Sequence, residues 1–321
     1  MVKETRFEPG LKLARHKELG KHLLGEFVPP INIEISPSGT CDAACPWCFY
    51  RQEEATIRGL DGCLFRDSRM EGLIEEFAGM GVKSISWTGG GEPTMHPSFP
   101  RFVEMAHWAG LKQGLFTNAL KVPRYNPTFF EWIRVSKTNN PWNEESLRVL
   151  RQCKTLGLCI NYRGTEDDQL VKETLELVEK LDKLKESPTH TTYLQVRPAL
   201  KILGGKTIVE IPKIEHPLLK ITDYKFLGSS SEREYSECEA FHFAPFIWQD
   251  GDVDICGYHR KDKIFNLGNV YSLGETGRFN YIMKNAPKSV KVLSNCQTCC
   301  KLNAMNSMIN MMRNLEDIDF P

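Results

Sequence analysis

Hydrophobic and polar positions follow two rhythms along the middle of the chain. Short runs rich in β-branched and aromatic residues predict strands, because these residues suit the pleated, half-buried surface of a sheet. These runs are Ile31–Ser36, Lys83–Thr88, Gln113–Thr117, Trp132–Ser136, Leu158–Tyr162 and Tyr193–Val196. Between them, apolar residues recur at helical spacing. That spacing predicts the helices Met70–Met80, Phe99–Ala109, Glu144–Thr155 and Asp167–Lys185.

The order of these elements predicts the fold. Alternating strands and helices form parallel βα units, and six strands favour a partial (β/α)6 TIM-like barrel of the α/β class. In such folds the chemistry gathers at the C-terminal ends of the strands. From about residue 204 the alternation stops and glycines and prolines interrupt the chain. We therefore predict a core over residues 1–220, with an N-terminal extension over 1–29, and a small cysteine-rich domain over 221–321.

Three local signals predict how elements begin and end. Thr165 and Asp168 resemble a capping box at the start of the last helix. Gly157 stands where a glycine commonly closes the preceding helix. The Asp250–Gly251 pair lies between two apolar runs and predicts a β-hairpin.

Composition narrows the class of partner. Lys plus Arg and Asp plus Glu both number 41, so the formal charge is zero. Proteins that follow phosphate backbones usually carry a basic excess, so nucleic acid is not expected as a partner. No apolar run approaches the roughly 20 residues of a membrane span, and the N-terminus is too charged for a signal peptide. We expect a cytoplasmic protein, whose eleven cysteines stay reduced.

The first group of cysteines follows the first predicted strand. Cys41, Cys45 and Cys48 are spaced C-x3-C-x2-C, and three thiolates so close can bind three irons of a cubane cluster and leave the fourth iron open. A structural zinc ion usually takes four protein ligands. Half of a zinc site, or three unrelated core cysteines, is the alternative interpretation of the spacing alone.

A glycine-rich turn follows the second predicted strand. Its sequence is Thr-Gly-Gly-Gly-Glu-Pro over residues 88–93, and we call these residues the glycine turn. Glycines let the backbone approach a ligand closely, and the Glu92 carboxylate could accept hydrogen bonds from an ammonium group. Taken alone, this segment could also be a plain turn.

The two motifs together identify a family resemblance. CxxxCxxC followed by GGEP, with the aromatic Trp47 before the third cysteine, resembles the radical S-adenosylmethionine (SAM) superfamily over roughly residues 30–200. The resemblance implies that Cys41, Cys45 and Cys48 hold a [4Fe–4S] cluster and that SAM binds its open iron. The reduced cluster then cleaves SAM, and a 5′-deoxyadenosyl radical takes a hydrogen atom from the substrate. It also implies an electron donor such as flavodoxin or ferredoxin.

The resemblance further implies a set of SAM-binding residues near strand ends. They are Gly90, Gly91, Glu92, Asn118, Ser136 and Arg163. The first three match the motif that receives the amino group of SAM. Ser136 matches a position that meets the ribose or the carboxylate, and Arg163 could pair with the carboxylate. An ordinary polar residue at a strand end is the alternative for Asn118, Ser136 and Arg163.

A second group of cysteines lies near the C-terminus. Cys238, Cys256, Cys296 and Cys299 could supply four thiolates, which suit an iron–sulfur cluster or zinc equally well. Cys300 could replace Cys299 as a ligand or be a spare thiol, and the CxxC spacing favours Cys299. The pattern resembles the twitch and SPASM subfamilies of radical SAM enzymes, and most nearly the 2-deoxy-scyllo-inosamine dehydrogenase type, which implies one auxiliary [4Fe–4S] cluster. The remaining thiols, Cys63, Cys153 and Cys159, are interpreted as structural.

The auxiliary cluster favours an oxidation. The leading hypothesis is an oxidoreductase that oxidises a small polar metabolite, with the auxiliary cluster accepting an electron. Arg197, at the end of the sixth predicted strand, is the first candidate for contact with substrate, and Tyr162 is a weaker one. For each, a structural role is the alternative.

Other reactions stay open. Peptide cross-linking or epimerisation is one, although only 40 residues precede Cys41, which counts against a leader-guided substrate. Carbon-skeleton cyclisation, as in the molybdopterin-pathway GTP cyclase, is another. A non-catalytic iron–sulfur or zinc protein would have no need of the glycine turn.

Overall fold

A computed structural model describes residues 9–48, 50, 61–199, 212–221, 235–260, 262–292, 296 and 300–315. The predicted ligand Cys299 lies outside these residues. The centre of the fold is a run of parallel strands, each paired with the next. They are β1 (Asn32–Ile35), β2 (Ser84–Trp87), β3 (Lys112–Thr117), β4 (Phe130–Ser136), β5 (Thr155–Tyr162) and β6 (Thr191–Pro198). The six predicted strands are thereby confirmed, with ends that differ by a few residues.

Side chains alternate between the two faces of this sheet. Ile33 and Ile35 on β1 are fully buried in the main hydrophobic core, whereas Glu34 between them faces the other way and is partly exposed. Val196 and Arg197 on β6 alternate in the same manner. This is the two-residue period of a strand. We call the side opposite the main core the lumen face.

Helices cover the core face. They are α3 (Asp67–Met80), α4 (Phe99–Trp108), α5 (Glu144–Leu150) and α6 (Asp168–Lys183). On α6, Val171, Leu175, Val178 and Leu181 are buried at helical spacing, so one apolar stripe packs on the sheet and the polar remainder faces solvent. Each helix was predicted from that periodicity. The α/β class with a parallel sheet is confirmed.

Two of the local signals were wrong. Gly157 lies within β5, because α5 ends at Leu150 and the chain turns back early. The absence of a side chain there has a packing reason: a β-carbon on Gly157 would lie 2.5 Å from the ring of Tyr193. The capping box does not form either, since no side chain caps the start of α6. Instead, Asp167 accepts a hydrogen bond from the backbone N–H of Arg163 at 2.8 Å.

Additional strands extend both edges of the sheet. β7 (Leu219–Ile221) pairs in parallel with β6. At the other edge, β9 (Phe246–Ile247) pairs in parallel with β1 and antiparallel with β10 (Asp252–Asp254), which pairs with β11 (Asn266–Asn269). The predicted hairpin is therefore confirmed, with Gly251 at a φ of 86°. Within the described residues the sheet ends at β11 and β7 without closing.

A second hydrophobic core joins the two ends of the chain. The remaining described α-helices and strands are α1 (Pro9–Leu13), α2 (Lys17–Leu23), β8 (Glu237–Cys238), α7 (Phe279–Lys284), β12 (Val290–Lys291) and α8 (Asn303–Arg313). Leu13 and Leu19 from the start of the chain pack in one cluster with Phe241 and Ile309. Among the described helices, none is long and apolar enough to cross a membrane.

Candidate active site

The cysteine loop leaves the C-terminal end of β1. It is closed at its base, because the Gly39 N–H donates to the Cys63 carbonyl at 2.7 Å and the Gly62 N–H donates to the Gly39 carbonyl at 3.2 Å. Within it, the Cys48 N–H donates to the Cys45 carbonyl at 3.1 Å. The three thiols of Cys41, Cys45 and Cys48 are all partly exposed. They are therefore available to a ligand.

Burial raises the pKa of the Cys41 thiol, and the negative charges of Glu92, Asp42 and Cys48 add to the rise. The hydrogen bond from the Ala43 N–H to Cys41 Sγ, at 3.4 Å, opposes it. A free thiol is protonated in such a place. Bound iron would reverse this preference, because a coordinating thiol gives up its proton to the metal.

The glycine turn docks on the start of the cysteine loop. The Gly91 N–H donates to the Ser38 carbonyl at 3.1 Å, and the Glu92 N–H donates to the Thr40 carbonyl at 2.7 Å. The contact is so close that a β-carbon on Gly91 would lie 2.2 Å from the Thr40 carbonyl oxygen. The two motifs, whose nearest ends Cys48 and Thr88 are 40 positions apart in the sequence, thus share one backbone-to-backbone interface. Only glycine permits this contact at position 91.

Glu92 holds the turn to the end of β3. Its Oε1 accepts hydrogen bonds from the hydroxyls of Thr94 and Thr117, at 2.8 and 2.7 Å, and its Oε2 accepts from the Asn118 N–H at 2.7 Å. Burial raises the pKa of this carboxyl group, while these hydrogen bonds act to lower it. The carboxylate is therefore engaged mainly with protein donors, which the sequence did not predict.

Asn118 lies beside the first cysteine. Its side-chain amide donates to Asp42 Oδ1 at 2.7 Å and lies 3.8 Å from Cys41 Sγ. The end of β3 and the cysteine loop therefore meet through side chains as well. The position that the resemblance assigned to SAM binding is next to the proposed cluster ligands.

Ser136 is the last residue of β4, and Arg163 directly follows β5. Ser136 is partly exposed on the lumen face. Arg163 forms an ion pair with Asp167, with Nε 3.0 Å from Oδ2, and its guanidinium stands 5.1 Å from the ring centre of Trp47 in the cysteine loop. Since Asp167 already supplies a carboxylate, this geometry favours a role in supporting the loop over pairing with a carboxylate of SAM.

The two predicted substrate contacts lie on opposite faces of the sheet. Arg197 is on the lumen face, where its Nε donates to Asn161 Oδ1 at 2.8 Å. Tyr162 is buried in the main core, and its hydroxyl donates to Asp168 Oδ1 at 2.5 Å. Burial and this acidic partner raise the pKa of Tyr162. The placement does not favour Tyr162 as a substrate contact, whereas it leaves Arg197 facing the lumen.

The C-terminal cysteines converge at the second core. Cys238, Cys256, Cys296 and Cys300 are partly buried and pack against the same apolar cluster. Asn306 Nδ2 lies 3.3 Å from Cys238 Sγ, and His259 Nε2 lies 3.3 Å from Cys296 Sγ. The four cysteines come from three separate stretches of the chain, because only Cys296 and Cys300 are close in sequence.

Cys300 affects the pKa of two other cysteines in this group. Burial raises the pKa of Cys238 to about 12, and the thiols of Cys300 and Cys296 add to the rise. Burial likewise raises the pKa of Cys256, and Cys300 and Cys238 contribute. Cys300, which the CxxC spacing made the second choice, is therefore near two of the predicted ligands.

A site for a single metal ion and a site for an iron–sulfur cluster need different arrangements of ligands. Among the described residues, no three Cys, His, Asp or Glu side chains are placed to hold one metal ion. A cubane makes a different demand, because each thiolate binds its own iron atom.

The other thiols differ in exposure. Cys153 and Cys159 are buried, and Cys63 is exposed. Burial raises the pKa of Cys153 to about 12, as expected for a small apolar core residue. Cys159 faces Gln195, with Sγ 3.4 Å from Oε1.

Sequence reasoning missed several side chains that connect the C-terminal region to this site. Lys301 pairs with Glu34 on the lumen face of β1, and its ammonium stands 5.0 Å from the ring centre of Phe246. Gln249 and Arg260 join residues near the cysteine loop. The hairpin signal and the C-terminal cysteine pattern pointed to this region, but neither of them predicted these contacts.

Comparison with known proteins supports the fold. No family model matches the chain. A segment of 74 residues is 34% identical to the GTP 3′,8-cyclase of Chlorobaculum tepidum, and it spans 23% of this chain and about a fifth (21%) of that protein.

Solved structures match over most of the chain. SuiB of Streptococcus suis, bound to S-adenosylmethionine, has a TM-score of 0.52 at 17% identity over 80% of this chain and 67% of that one. Native anSMEcpe with bound AdoMet has a TM-score of 0.52 at 17% identity over 86% and 88% of the two chains. BtrN in complex with AdoMet and 2-DOIA covers 90% and 94% at 11% identity, with a TM-score of 0.46. The first two matches show a shared fold.

Proposed function

We propose that the protein is a radical SAM enzyme whose cysteine loop and glycine turn form one cofactor site. The observation that carries this proposal is the direct hydrogen bonding between the two motifs, at 3.1 and 2.7 Å. Cys41, Cys45 and Cys48 would hold a [4Fe–4S] cluster, and the donor chemistry fits because three thiolates leave one iron open. When bound, the cluster and SAM together supply a 5′-deoxyadenosyl radical that takes hydrogen from a substrate carbon.

The chain's own residues position SAM. The glycine turn presents backbone groups close to the cysteines, because the missing β-carbon of Gly91 lets it pack directly on the Thr40 carbonyl. Asn118 and Ser136 stand at the ends of neighbouring strands, where Asn118 is 3.8 Å from Cys41 Sγ. Two proteins that share the fold, SuiB and anSMEcpe, were solved with S-adenosylmethionine bound. Their ligand supports the same role for this chain.

The C-terminal cysteines would hold an auxiliary [4Fe–4S] cluster. Four partly buried thiols on one apolar cluster fit such a group, because Cys thiolates are its usual ligands. A cluster there would supply an electron acceptor. The net reaction would then be an oxidation, in which the substrate loses one hydrogen atom, one proton and one electron.

The lumen face suggests the kind of substrate. From β4 to β7 it carries the cations Arg134, Arg197 and Lys220. The single carboxylate in these strands, Glu131 near the start of β4, pairs with Lys154 at 2.7 Å. Arg134 is held between aromatic rings, 5.6 Å from the centre of Phe116 and 5.1 Å from that of Trp132. Fixed guanidinium groups favour carboxylates and phosphates. We therefore expect a small polar metabolite with an anionic group.

A peptide substrate is the second candidate. The native anSMEcpe enzyme was also solved with the Cp18Cys peptide, and that structure has a TM-score of 0.51 to this chain at 16% identity. A panel of substrates would separate the two possibilities.

The first experiment measures SAM cleavage. Anaerobically reconstituted protein, reduced with dithionite, should convert SAM to 5′-deoxyadenosine and methionine. Cys45→Ala should abolish this reaction, and Cys63→Ala, a matched change at an exposed thiol, should not. Equal turnover in both variants, or none in a wild type that carries about four irons per cluster, would overturn the proposal.

A second experiment tests the auxiliary cluster. In the triple variant Cys41/Cys45/Cys48→Ala, about four irons should remain after reconstitution, as one cubane on the C-terminal thiolates. Further replacement of Cys300 or of Cys299 by serine should show which of them holds iron. Loss of all iron from the triple variant would rule out the oxidative form of the proposal and leave only the SAM-cleaving core.

A third experiment tests the substrate class. Phosphorylated and carboxylated polyols are compared with neutral polyols as stimulants of 5′-deoxyadenosine formation. We expect the anionic compounds to stimulate more, and Arg197→Met to remove that difference while the basal rate persists. Stronger stimulation by neutral polyols, or by peptides, would count against an anionic metabolite.

A further inference from the structure

A buried serine links the glycine turn to the C-terminal hairpin. Ser36 follows β1 and has no exposed surface. Its Oγ accepts a hydrogen bond from the Gly90 N–H at 3.3 Å and donates to Gln249 Oε1 at 2.8 Å. Gln249 lies in the hairpin between β9 and β10, so a single hydroxyl contacts both regions.

The orientation of the Gln249 amide follows from its other partner. Its Nε2 donates to Asp61 Oδ1 at 2.8 Å. Burial acts to raise the pKa of Asp61, but hydrogen bonds from Gln249, Arg260 and the Cys63 N–H outweigh it and lower that pKa. An ionised carboxylate only accepts hydrogen bonds, so the nitrogen of Gln249 faces Asp61 and its oxygen faces Ser36.

This order fixes the direction of the whole chain of hydrogen bonds. Because Gln249 Oε1 can only accept, the Ser36 hydroxyl donates to it and keeps its lone pairs for the Gly90 N–H. The alternative acceptor for Ser36, the Ser38 carbonyl, is farther away at 3.3 Å. In this one arrangement the Gly90 N–H, the Ser36 hydroxyl and both ends of the Gln249 amide have hydrogen-bond partners.

Ion pairs of Arg260 hold Asp61, the last residue in this series of hydrogen bonds. The Arg260 side chain is 1% exposed, and its terminal nitrogen lies 2.6 Å from both Asp61 Oδ2 and Asp250 Oδ2. Its guanidinium stands 4.8 Å from the ring centre of Trp248. Gly39 leaves room for this arrangement, since a β-carbon there would lie 2.1 Å from Asp61 Oδ1 and 2.8 Å from Gln249 Nε2.

We propose that Gln249 is a positioning residue for the SAM site, acting through Ser36 on the Gly90 backbone. The C-terminal region would thereby influence the affinity for SAM. This inference rests on the proposed function, because it takes the glycine turn as part of the SAM site.

The test measures SAM binding rather than turnover. Equilibrium dialysis of reconstituted enzyme with labelled SAM gives dissociation constants for Ser36→Ala, Gln249→Met and the double variant. Ser36→Ala removes the hydrogen bonds to Gly90 and Gln249, and Gln249→Met removes those to Ser36 and Asp61. Only the Ser36–Gly90 link reaches the glycine turn, so we expect each change to weaken SAM binding about threefold to tenfold. The double variant should bind SAM no more weakly than the weaker-binding single variant, because both changes interrupt the same series of hydrogen bonds.

Controls separate this role from a loss of stability. Tyr271→Phe removes two hydrogen bonds of the Tyr271 hydroxyl, one to the Gln249 carbonyl at 3.2 Å and one from the Arg66 N–H at 3.0 Å. Neither involves the side chains of Ser36 or Gln249, so this change should lower stability and leave SAM affinity unchanged. If Gln249→Met does not fold, Ser36→Ala carries the test, since it deletes one oxygen atom only.

The outcomes are distinguishable. Wild-type affinity for SAM in Gln249→Met and Ser36→Ala, or additive effects in the double variant, would overturn the positioning role and leave the proposed function intact. Failure of the wild type itself to bind SAM would instead remove the proposed function.

Discussion

Replacing Gly91 by alanine tests the contact between the glycine turn and the cysteine loop. The new β-carbon would lie 2.2 Å from the Thr40 carbonyl oxygen and 2.7 Å from that of Ser38. Both obstacles are backbone atoms, so no side chain can rotate away. The turn must move by roughly 1 Å before the contact becomes an ordinary van der Waals one.

The expected magnitude follows from that displacement. Overpacking of a tight site costs about 1–3 kcal/mol, and 1.4 kcal/mol is a factor of ten in a binding constant. If the cost falls on the SAM-binding conformation, SAM affinity should drop by about fivefold to about 150-fold. The assay is equilibrium dialysis of the reconstituted enzyme with labelled SAM, and urea unfolding reports stability in parallel.

Gly79→Ala is the matched control. Gly79 is exposed on α3, and a β-carbon there would meet nothing within 4 Å. Alanine favours a helix over glycine by about 0.5–1 kcal/mol, so this variant should gain stability and bind SAM normally. The reasoning is refuted if Gly91→Ala binds SAM as tightly as Gly79→Ala does.

Two further predictions concern buried groups. Tyr162→Phe removes the 2.5 Å hydrogen bond to Asp168, so urea unfolding should show a loss of about 1 kcal/mol, with 5′-deoxyadenosine formation unchanged. A fall in activity at unchanged stability would restore Tyr162 as a catalytic candidate. The Cys153 thiol, whose pKa burial raises to about 12, should stay protonated and resist iodoacetamide between pH 7 and 9, while exposed Cys63 is alkylated. Peptide mass spectrometry of the native protein measures both, and equal labelling would contradict the burial of Cys153.

Much of the site follows from local sequence signals. Both motifs come directly after a predicted strand, and adjacent parallel strands deliver their C-terminal ends to one edge of a sheet. Cys41 and Gly91 therefore had to lie near each other once β1 and β2 paired. The proximity of Asn118 to Cys41 follows in the same way from β3.

Signals at element ends were less dependable. Gly157 carried a helix-ending signal, but tertiary packing against Tyr193 decided its place within β5. Thr165 and Asp168 had capping-box spacing, but Asp167 took the local hydrogen bonds. A short polar motif can satisfy backbone groups in several ways, and the surrounding structure selects one.

Contacts between distant segments left no trace in the sequence. Ser36 and Gln249 are 213 positions apart, and Glu34 and Lys301 are 267 apart. Single polar residues of this kind look like ordinary surface residues until β9 pairs with β1. The pairing that places them depends on the whole sheet, not on any pattern around either residue.

The most direct test of the shared cofactor site is an electron paramagnetic resonance spectrum of the reduced enzyme with and without SAM. The triple variant Cys41/Cys45/Cys48→Ala provides the background signal of any C-terminal cluster. We predict that SAM changes the spectrum of the wild type and leaves that of the triple variant unchanged. A wild-type spectrum that is the same with and without SAM, in protein with full iron at the cysteine loop, would contradict the account.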